Sequence, residues 1–435
     1  MSNGRWSTTA GGLVALAMGT TLLLGGTPPS AAATVAAPSA TTTLATRADL
    51  SSPTTLAGTG TPGFDGDGGP AVHARLDAPG AIVEDGSGDL YIADSGNCRV
   101  REVPARSGFS FGRRVQAGHI VTLAGGHCGT DADPPPTALA LDPAGDLFIA
   151  SGPGERVEEL PAHGNTSLGE QMTTGRLAVV AGTGAAGDSG DGGGADHSEL
   201  DDPSGLAVDP SGDLLIADTA NCRLRLVAAS TGSRFGVAML KGEIDTVAGT
   251  GVCGSNGDGG PALEAELWDP GALAANGDGD ILVADQGNRT VRLLTEHAGT
   301  YYGVALAAHS LGTVAGDGSY GPYLIDGLPA TGGVGEVNFP SALAVDAGGD
   351  LYIADGAMHA IRLVPATATT LLGKMVQAGS LSTVAGAEST GALHAVTTWI
   401  QTRMADPSGL AVSPHGNLAY SDSDDDVVRE VTGVG

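Results

Sequence analysis

Acidic side chains recur at one position of this sequence and could bring several carboxylates together. Five aspartates each end an apolar run of similar composition, and they are Asp94, Asp218, Asp285, Asp355 and Asp422. Converging carboxylates could bind a cation. An aspartate at the end of such a run also caps the following turn through its own backbone amides. Because the aspartate occurs whatever the other loop residues are, we expect the capping role.

A second acidic pattern is the Gly-Asp-Gly loop, which could be a calcium site. It occurs within residues 66–69, 190–193 and 257–260. These loops lack the further carboxylates and the terminal glutamate of an EF-hand. We therefore expect turns in which glycine supplies the positive φ and aspartate caps it. Calcium is the one cofactor that the pattern leaves open, and no other cofactor is expected.

Histidine could supply metal ligands or an acid–base group. The chain has ten histidines, scattered along its length. Two of them, His73 and His197, occupy the same position in two copies of a repeated sequence unit. A zinc site needs three or four converging ligands, and two imidazoles do not provide one. The sequence therefore predicts neither a metal site nor a catalytic residue, and a non-enzymatic role is favoured while enzymatic activity stays open.

Four cysteines allow three disulfide pairings. Cys98 and Cys222 each start the third predicted strand of a four-strand repeat. Cys128 and Cys253 each lie just after the fourth predicted strand of the same repeat. Because these two strands run antiparallel, the start of one lies beside the end of the other. This register predicts the bridges Cys98–Cys128 and Cys222–Cys253, and a structural role for both.

One phrase of the form GDLYIAD recurs six times and organises the chain. Its copies begin at Gly88, Gly145, Gly212, Gly279, Gly349 and Gly416. Successive copies are 57, 67, 67, 70 and 67 residues apart. Each copy divides into four short strand-like runs, as in residues 205–209, 213–218, 222–227 and 245–249. Four antiparallel strands in each repeat, stacked on their neighbours, are typical of a propeller blade.

The two ends of the repeated region complement each other. The last third strand, Val427–Val431, has no fourth strand after it, whereas a fourth-strand sequence at residues 54–58 precedes the first blade. We expect this N-terminal strand to complete the last blade and close the ring, which removes exposed sheet edges. The sequence thus predicts an all-β fold: a six-bladed β-propeller of four-stranded antiparallel blades.

These phrases resemble the NHL-repeat family, whose propellers carry YIAD and N-x-R-(V/I)-R motifs after a Gly-Asp or Gly-Asn turn. The resemblance covers roughly residues 54–431. The loops at residues 64–71 and 256–262 are similar to those of the long-repeat variety found in exported bacterial proteins. Blade 2 departs from the pattern, with Ser151 in place of the aspartate. The resemblance implies a propeller, and for some relatives a zinc-dependent lyase with histidines in the central channel.

The N-terminal region has the pattern of an export signal. Arg5 precedes an apolar stretch, and Ala31 to Ala33 offer a cleavage site, so residues 1–33 are predicted to be a signal peptide. Residues 34–53 are rich in Ala, Thr, Ser and Pro and are predicted to be a flexible linker to a propeller at 54–435. The formal net charge of −29 disfavours nucleic acid and anionic lipid. We expect a secreted monomer without membrane insertion.

The function predicted from sequence is a binding or scaffolding module for a protein, peptide or glycan partner. We place recognition on the face formed by the loops between blades and by the turns between second and third strands. The candidate contact residues are Asn97, Arg99, Asn221, Arg223, Asn288 and Arg289, for which a structural role is favoured over contact with a partner. The alternative function is a metal-dependent lyase or hydrolase in the central channel.

Overall fold

The computed structural model describes residues 53–128, 134–164, 166–168, 170–321, 324–331, 337–371, 374–386 and 403–432. The predicted signal peptide and all of the predicted linker except Pro53 lie outside these residues. The described chain forms six antiparallel sheets, each a blade, around a central channel. The predicted all-β, six-bladed propeller is therefore confirmed.

The inner strands of each blade lie nearest the centre of the ring. The first strands line the channel and are Pro79–Glu84, Ala138–Leu141, Pro203–Val208, Pro270–Ala275, Pro340–Val345 and Pro407–Val412. The second strands are Leu90–Asp94, Leu147–Ser151, Leu214–Asp218, Ile281–Asp285, Leu351–Asp355 and Leu418–Asp422. Every residue of the second strands is buried, because these strands lie between neighbouring strands and between neighbouring blades.

The outer strands complete each blade. The third strands are Arg99–Val103, Arg156–Leu160, Arg223–Val227, Thr290–Leu294, Ala360–Val364 and Val427–Val431. The fourth strands of blades 1 to 5 are Val121–Gly125, Ala178–Ala181, Glu243–Ala248, Ser310–Ala315 and Ser380–Gly386. The fourth strand of blade 6 is Thr54–Ala57, from the other end of the chain.

Hairpins, edge strands and 3-10 turns lie outside the four main strands of each blade. Hairpins between third and fourth strands are Gly108–Ser110 with Arg113–Val115, Thr166–Ser167 with Glu170–Gln171, Gly232–Arg234 with Val237–Met239, Gly299–Tyr301 with Val304–Leu306, and Thr369–Leu371 with Lys374–Val376. Two-residue edge strands are Gly193–Gly194, Gly260–Pro261 and Leu328–Pro329. Single 3-10 turns are Ala71–His73, Ser95–Asn97, Ala195–His197, Ala262–Glu264, Gln286–Asn288 and Gly356–Met358.

The turn between the first and second strands follows directly from the sequence. In blade 3, Gly212 has a φ of 84°, which favours glycine, and its N–H donates to the carbonyl oxygen of Asp209 at 2.9 Å. The Asp209 carboxylate accepts hydrogen bonds from the backbone N–H groups of Ser211 and Asp213. A tight turn therefore joins the two inner strands at the face opposite the loops between blades.

The ring closes as the sequence predicts. Thr54 pairs with Glu430 and Ala57 pairs with Val428 in an antiparallel ladder with an irregularity between them. Ala57 is fully buried in the apolar cluster that joins blade 6 to blade 1. The N-terminal strand therefore covers the edge that the third strand of blade 6 would otherwise expose.

A second device ties the blades together near the channel. In each blade a side chain near the loop face donates a hydrogen bond to a proline carbonyl oxygen of the next blade, over 2.5 to 3.1 Å. In ring order the pairs are Ser95 to Pro136, Thr137 to Pro203, Thr219 to Pro270, Gln286 to Pro340, Ser341 to Pro407 and Ser408 to Pro79. These six bonds form a closed ring, so opening one interface strains the others.

The hairpins between third and fourth strands reach across to the neighbouring blade. Phe111 of blade 1 is buried in a cluster with Leu139 and Leu147 of blade 2. The hydroxyl of Tyr302, in blade 4, donates to the carbonyl oxygen of Gly349 in blade 5 at 2.8 Å. The hairpins therefore seal the interfaces between blades, because their apolar residues reach past the edge of their own sheet.

Candidate ligand-binding face

The central channel has an apolar wall with few polar groups. It contains a cavity of about 230 Å³, lined mainly by alanine, valine, leucine, isoleucine and glycine of the six first strands. Its hydroxyl groups include those of Thr137, Ser341 and Ser408, which are already engaged in the ring of bonds between blades. Among the described residues that line this cavity there is neither an imidazole nor a carboxylate.

The recurring second-strand aspartates each lie in a buried polar cluster. In blade 3, Asp218 accepts hydrogen bonds from the N–H of Asp201 at 2.8 Å and from the side chain of Asn221 at 2.9 Å. Its other oxygen lies 3.5 Å from Nη1 of Arg225, and both side chains are fully buried. Burial raises the pKa of the Asp218 carboxyl, and these hydrogen bonds and the nearby Arg225 charge oppose the shift.

This cluster corrects the expectation that the aspartate caps its turn through its own backbone amides. The amide donor comes from 17 residues earlier, in the loop that leads into the first strand, and the same separation recurs in blades 1, 4, 5 and 6. The carboxylate therefore fastens the loop between blades to the second strand. Because each aspartate is enclosed within its own blade, the five carboxylates do not converge on one ion.

The Gly-Asp-Gly loops contribute the second carboxylate of the cluster. Nη2 of Arg101 donates to Asp67 at 2.6 Å, and Nη2 of Arg225 donates to Asp191 at 2.6 Å. The aspartate that could have bound calcium thus faces a guanidinium group. Each arginine spans the end of the second strand and the loop between blades, so the loop is held by an ion pair.

Blade 2 shows what happens when the cluster is lost. Ser151 stands where other blades have the aspartate, and Glu158 stands where Arg101 lies in blade 1. The shorter loop before this blade has no Gly-Asp-Gly sequence. The aspartate, the arginine and the loop are therefore absent together, as expected if they form one structural unit.

The three predicted contact asparagines lie inside these clusters. The side-chain amides of Asn97, Asn221 and Asn288 donate to the carbonyl oxygens of Gly63, Gly187 and Gly254 over 2.7 to 2.8 Å. Each also donates to the aspartate of its own cluster. The structure therefore directs these amides inward, where they hold the loop between blades.

The three predicted contact arginines lie at the surface of the same face. Arg99 lies over the ring of Phe64, with its guanidinium carbon 4.8 Å from the ring centroid. Arg223 forms an ion pair of 3.1 Å with the exposed Asp188. Arg289 lies over the ring of Tyr320 at 5.8 Å. Each arginine contacts a loop residue while part of its guanidinium group stays near solvent.

Sequence reasoning missed a group of exposed rings on this face. Phe64, Trp268, Tyr320 and Phe339 all lie in loops between blades and are 61%, 49%, 72% and 45% exposed. The chain has only 16 Phe, Tyr and Trp residues, so these four exposed rings are a quarter of its aromatic side chains. Their place in the sequence could have revealed them, because all four lie in predicted loops and none falls at an apolar position of a predicted strand.

Both predicted disulfide bridges are present. Cys98 is bonded to Cys128 and Cys222 to Cys253, with Cα atoms 5.2 and 5.3 Å apart. In blade 4, Arg289 occupies the repeat position of Cys222, with a φ of 54° against 52°. Tyr320 follows Gly316 by the same interval as Cys253 follows Gly249. The contact between Arg289 and Tyr320 therefore replaces the covalent bridge.

The two histidines in equivalent positions do not approach the channel. His73 and His197 each end a 3-10 turn of a loop between blades and are exposed. Nδ1 of His197 lies 2.8 Å from the carboxylate of Asp196. Within the described parts of the chain, no three or more His, Cys, Asp or Glu side chains are grouped to hold a metal ion. No helix in those parts is long and apolar enough to cross a membrane.

The six four-stranded blades define this protein as a six-bladed β-propeller. The model of the NHL-repeat family matches residues 200–225, in blade 3. Mouse teneurin-1 is 25% identical over 270 residues, which is 53% of this chain and 8% of teneurin-1. The chain therefore spans about 8% of the length of the curated relatives it matches. Together with the six repeats, these matches show that the chain is similar to propellers of NHL repeats.

Solved structures share this fold at low sequence identity. A Bacteroides thetaiotaomicron protein of unknown function has a TM-score of 0.54 at 14% identity, covering 88% of this chain and 76% of its own. An auxiliary nutrient binding protein of the same organism has a TM-score of 0.53 at 11% identity, covering 87% and 75%. At these identities the likeness shows the fold alone.

Proposed function

We propose that this protein is an exported binding module that recognises a protein, peptide or glycan partner through the face formed by the loops between blades. The observation that carries the proposal is the group of exposed rings on this face, Phe64, Trp268, Tyr320 and Phe339. Aromatic side chains offer large, rigid contact area and are enriched where proteins bind partners. Two of the rings lie under arginines, which add charge and hydrogen-bond donors to the same surface.

The loops that carry these rings are held in fixed positions, which suits recognition of a partner. The loops between blades are fastened by buried arginine and aspartate clusters, so their exposed side chains are held in place before a partner arrives. Disulfides of this kind form in oxidising compartments, which supports export. The name of one solved neighbour, an auxiliary nutrient binding protein, describes a binding role on this type of fold.

The alternative, a metal-dependent lyase or hydrolase, would place its site in the channel. The 230 Å³ cavity of the channel is lined by methyl, methylene and hydroxyl groups, and its hydroxyls already bond to neighbouring blades. The carboxylates of Glu84, Asp142 and Asp209 line a separate cavity at the turns between first and second strands. Metal ligation and acid–base catalysis both use imidazoles or carboxylates. The chemistry of the 230 Å³ cavity therefore favours the binding function.

The test compares variants of the two faces. Purified residues 34–435 are screened for binding against immobilised polysaccharides, peptidoglycan and peptide libraries. Every hit is then measured with Phe64→Ala combined with Tyr320→Ala, which removes two rings of the loop face. The matched control is Phe109→Ala combined with Met375→Ala, which removes exposed apolar groups from two third-to-fourth-strand hairpins. We expect the loop-face variant to lose binding and the control to keep it. The reverse pattern would place recognition on the hairpin side and contradict the proposal.

A further inference from the structure

Blade 4 contains a cavity on the loop face. Its side chains differ from those of blades 1 and 3 at three repeat positions, Ser255, Trp268 and Thr290. The cavity has a volume of about 700 Å³ and is lined by Ser255, Asp258, Trp268, Thr290, Arg292 and Asp317, among others. This volume lies in the range of pockets that hold small ligands. It opens between the turn after the second strand and the loops on either side of the blade.

The cavity exists because a pair of large side chains is missing. In blade 1 this space holds Phe64 under Arg99, and in blade 3 it holds the ion pair of Asp188 with Arg223. By repeat register, the corresponding residues of blade 4 are Ser255 and Thr290. Both partners of the pair are small here, so the space stays open.

An unpartnered buried donor lines the cavity. Nη2 of Arg101 and Nη2 of Arg225 each donate to a loop aspartate at 2.6 Å. In blade 4 the corresponding Asp258 accepts from the N–H and hydroxyl of Thr313, both at 2.8 Å, and its carboxylate lies 3.3 Å from Nε of Arg292 rather than against Nη2. Nη2 of Arg292 then has no hydrogen-bond partner among the described residues, although the side chain is only 2% exposed. A buried guanidinium donor without a partner carries a free-energy cost that a ligand oxygen would remove.

A ring is also present at this position in blade 4. Trp268 stands where blades 1 and 3 have Asp77 and Asp201. Its ring is half exposed and packs on the turn at Gly287, where an added Cβ would lie 2.5 Å from the ring. The indole is therefore held in a fixed orientation at the edge of the cavity.

We propose that this cavity binds a neutral saccharide unit, which stacks on Trp268 and accepts a hydrogen bond from Arg292. The inference rests on the proposed binding function and names the ligand class of one site on that face. Saccharide hydroxyls both donate and accept, so they match a wall that mixes guanidinium donors with the carboxylates of Asp258 and Asp317. A pyranose ring also presents an apolar face that suits an indole.

The charge of the wall selects against an anionic ligand. Arg289 and Arg292 supply two positive charges, whereas Asp258, Asp285 and Asp317 supply three carboxylates. The whole chain carries a formal net charge of −29, which repels anions at longer range. A neutral polyhydroxylated ring avoids this repulsion and still satisfies the buried donor.

The experiment follows the fluorescence of Trp268. Residues 34–435 contain two tryptophans, so Trp399→Phe leaves Trp268 as the reporter. The protein is titrated with glucose, maltose, cellobiose and chitobiose as neutral probes and with glucuronate as the anionic probe, and calorimetry measures each affinity independently. We expect a saturable change in emission with at least one neutral saccharide and none with glucuronate.

The deciding variant combines Ser255→Asp with Thr290→Arg, which introduces the two residues of the blade-3 ion pair and fills the cavity. We expect saccharide affinity to fall by at least about tenfold with an unchanged unfolding temperature. No response to any neutral probe, a response to glucuronate alone, or affinity retained in the filled variant would each overturn the inference. If the filled variant still binds the partners found in the face screen, the proposed function stands and the cavity inference alone fails.

Discussion

Nη1 of Arg225 lies 3.5 Å from the carboxylate of Asp218, and both side chains are fully buried. The same guanidinium group donates to the carbonyl oxygen of Glu199 at 2.9 Å and to the carboxylate of Asp191 at 2.6 Å. One arginine thus joins the second strand to two points of the loop before its blade. This arrangement converts a long surface loop into a fixed part of the blade.

Arg225→Ala should therefore be strongly destabilising. The substitution leaves Asp218 buried without its cation and releases the loop, for an expected loss of about 3–5 kcal/mol in the free energy of unfolding. Chemical denaturation monitored by circular dichroism measures this loss. The control is Arg223→Ala, two residues away, whose partner Asp188 is exposed, and it should cost no more than about 1 kcal/mol. Equal losses in the two variants would contradict the role assigned to the buried cluster.

The N-terminal strand should be needed for stability. A variant that starts at Gly58 lacks Thr54–Ala57, exposes the third strand of blade 6 and loses the buried Ala57. We expect the free energy of unfolding to fall by about 3 kcal/mol or more, and soluble aggregates to appear because the sheet edge is open. A variant that starts at Pro53 is the control. Identical thermal unfolding of the two variants would show that the ring closes in another way.

The blade-3 disulfide should stabilise more than the contact that replaces it in blade 4. Replacing Cys222 and Cys253 by alanine opens a loop of 31 residues, with an expected loss of about 3–4 kcal/mol. Tyr320→Ala removes the ring under Arg289 and should cost about 1 kcal/mol or less. Thermal unfolding in parallel gives the comparison, and a larger loss for Tyr320→Ala would reverse the ranking.

Stability should also depend on the ionisation of Glu102. Burial raises the pKa of this carboxyl from 4.5 to about 7, and the nearby Asp89 and Asp85 add to the shift. Because the folded state holds the proton more tightly than the unfolded state, the stabilisation present below pH 4.5 is lost as the pH rises through about 7.

Glu102→Gln should remove the part of that dependence that Glu102 contributes, while Glu84, whose pKa burial also raises to about 7, keeps its own part. At pH 8 the variant should be more stable than the parent, by on the order of 2 kcal/mol, whereas at pH 4.5 the two should be similar. Urea unfolding between pH 4.5 and 8 measures the difference, with the exposed Glu264→Gln as control. A variant whose stability falls with pH as steeply as that of the parent would assign the effect to another group.

Much of the fold could be predicted because the repeat carries it. The positions of Gly88 and its five counterparts set the blade count, and the unpaired run at Thr54–Ala57 predicted the closure. The disulfide pairing followed from the register of Cys98 with Cys222. These inferences succeed because they depend on periodicity, which a single sequence displays directly.

The polar clusters could not be predicted in the same way. Asp218 and its amide donor at Asp201 are 17 residues apart, and Arg225 reaches Asp191 across 34 residues. Such contacts depend on how a loop folds back, and periodicity says nothing about that path. The cavity of blade 4 was missed for a related reason. It arises where Ser255 and Thr290 are both small, and these positions are brought to the same cavity only by the fold.

The central claim is that the loop face recognises the partner. Hydroxyl-radical footprinting measures the oxidation of each exposed ring. It is done on the mature protein with and without the tightest binder from the polysaccharide, peptidoglycan and peptide screen. The account predicts protection of at least two of Phe64, Trp268, Tyr320 and Phe339, with unchanged oxidation of Phe109 and Met375 on the hairpins. Protection of Phe109 or Met375 with unchanged oxidation of all four loop-face rings would contradict it.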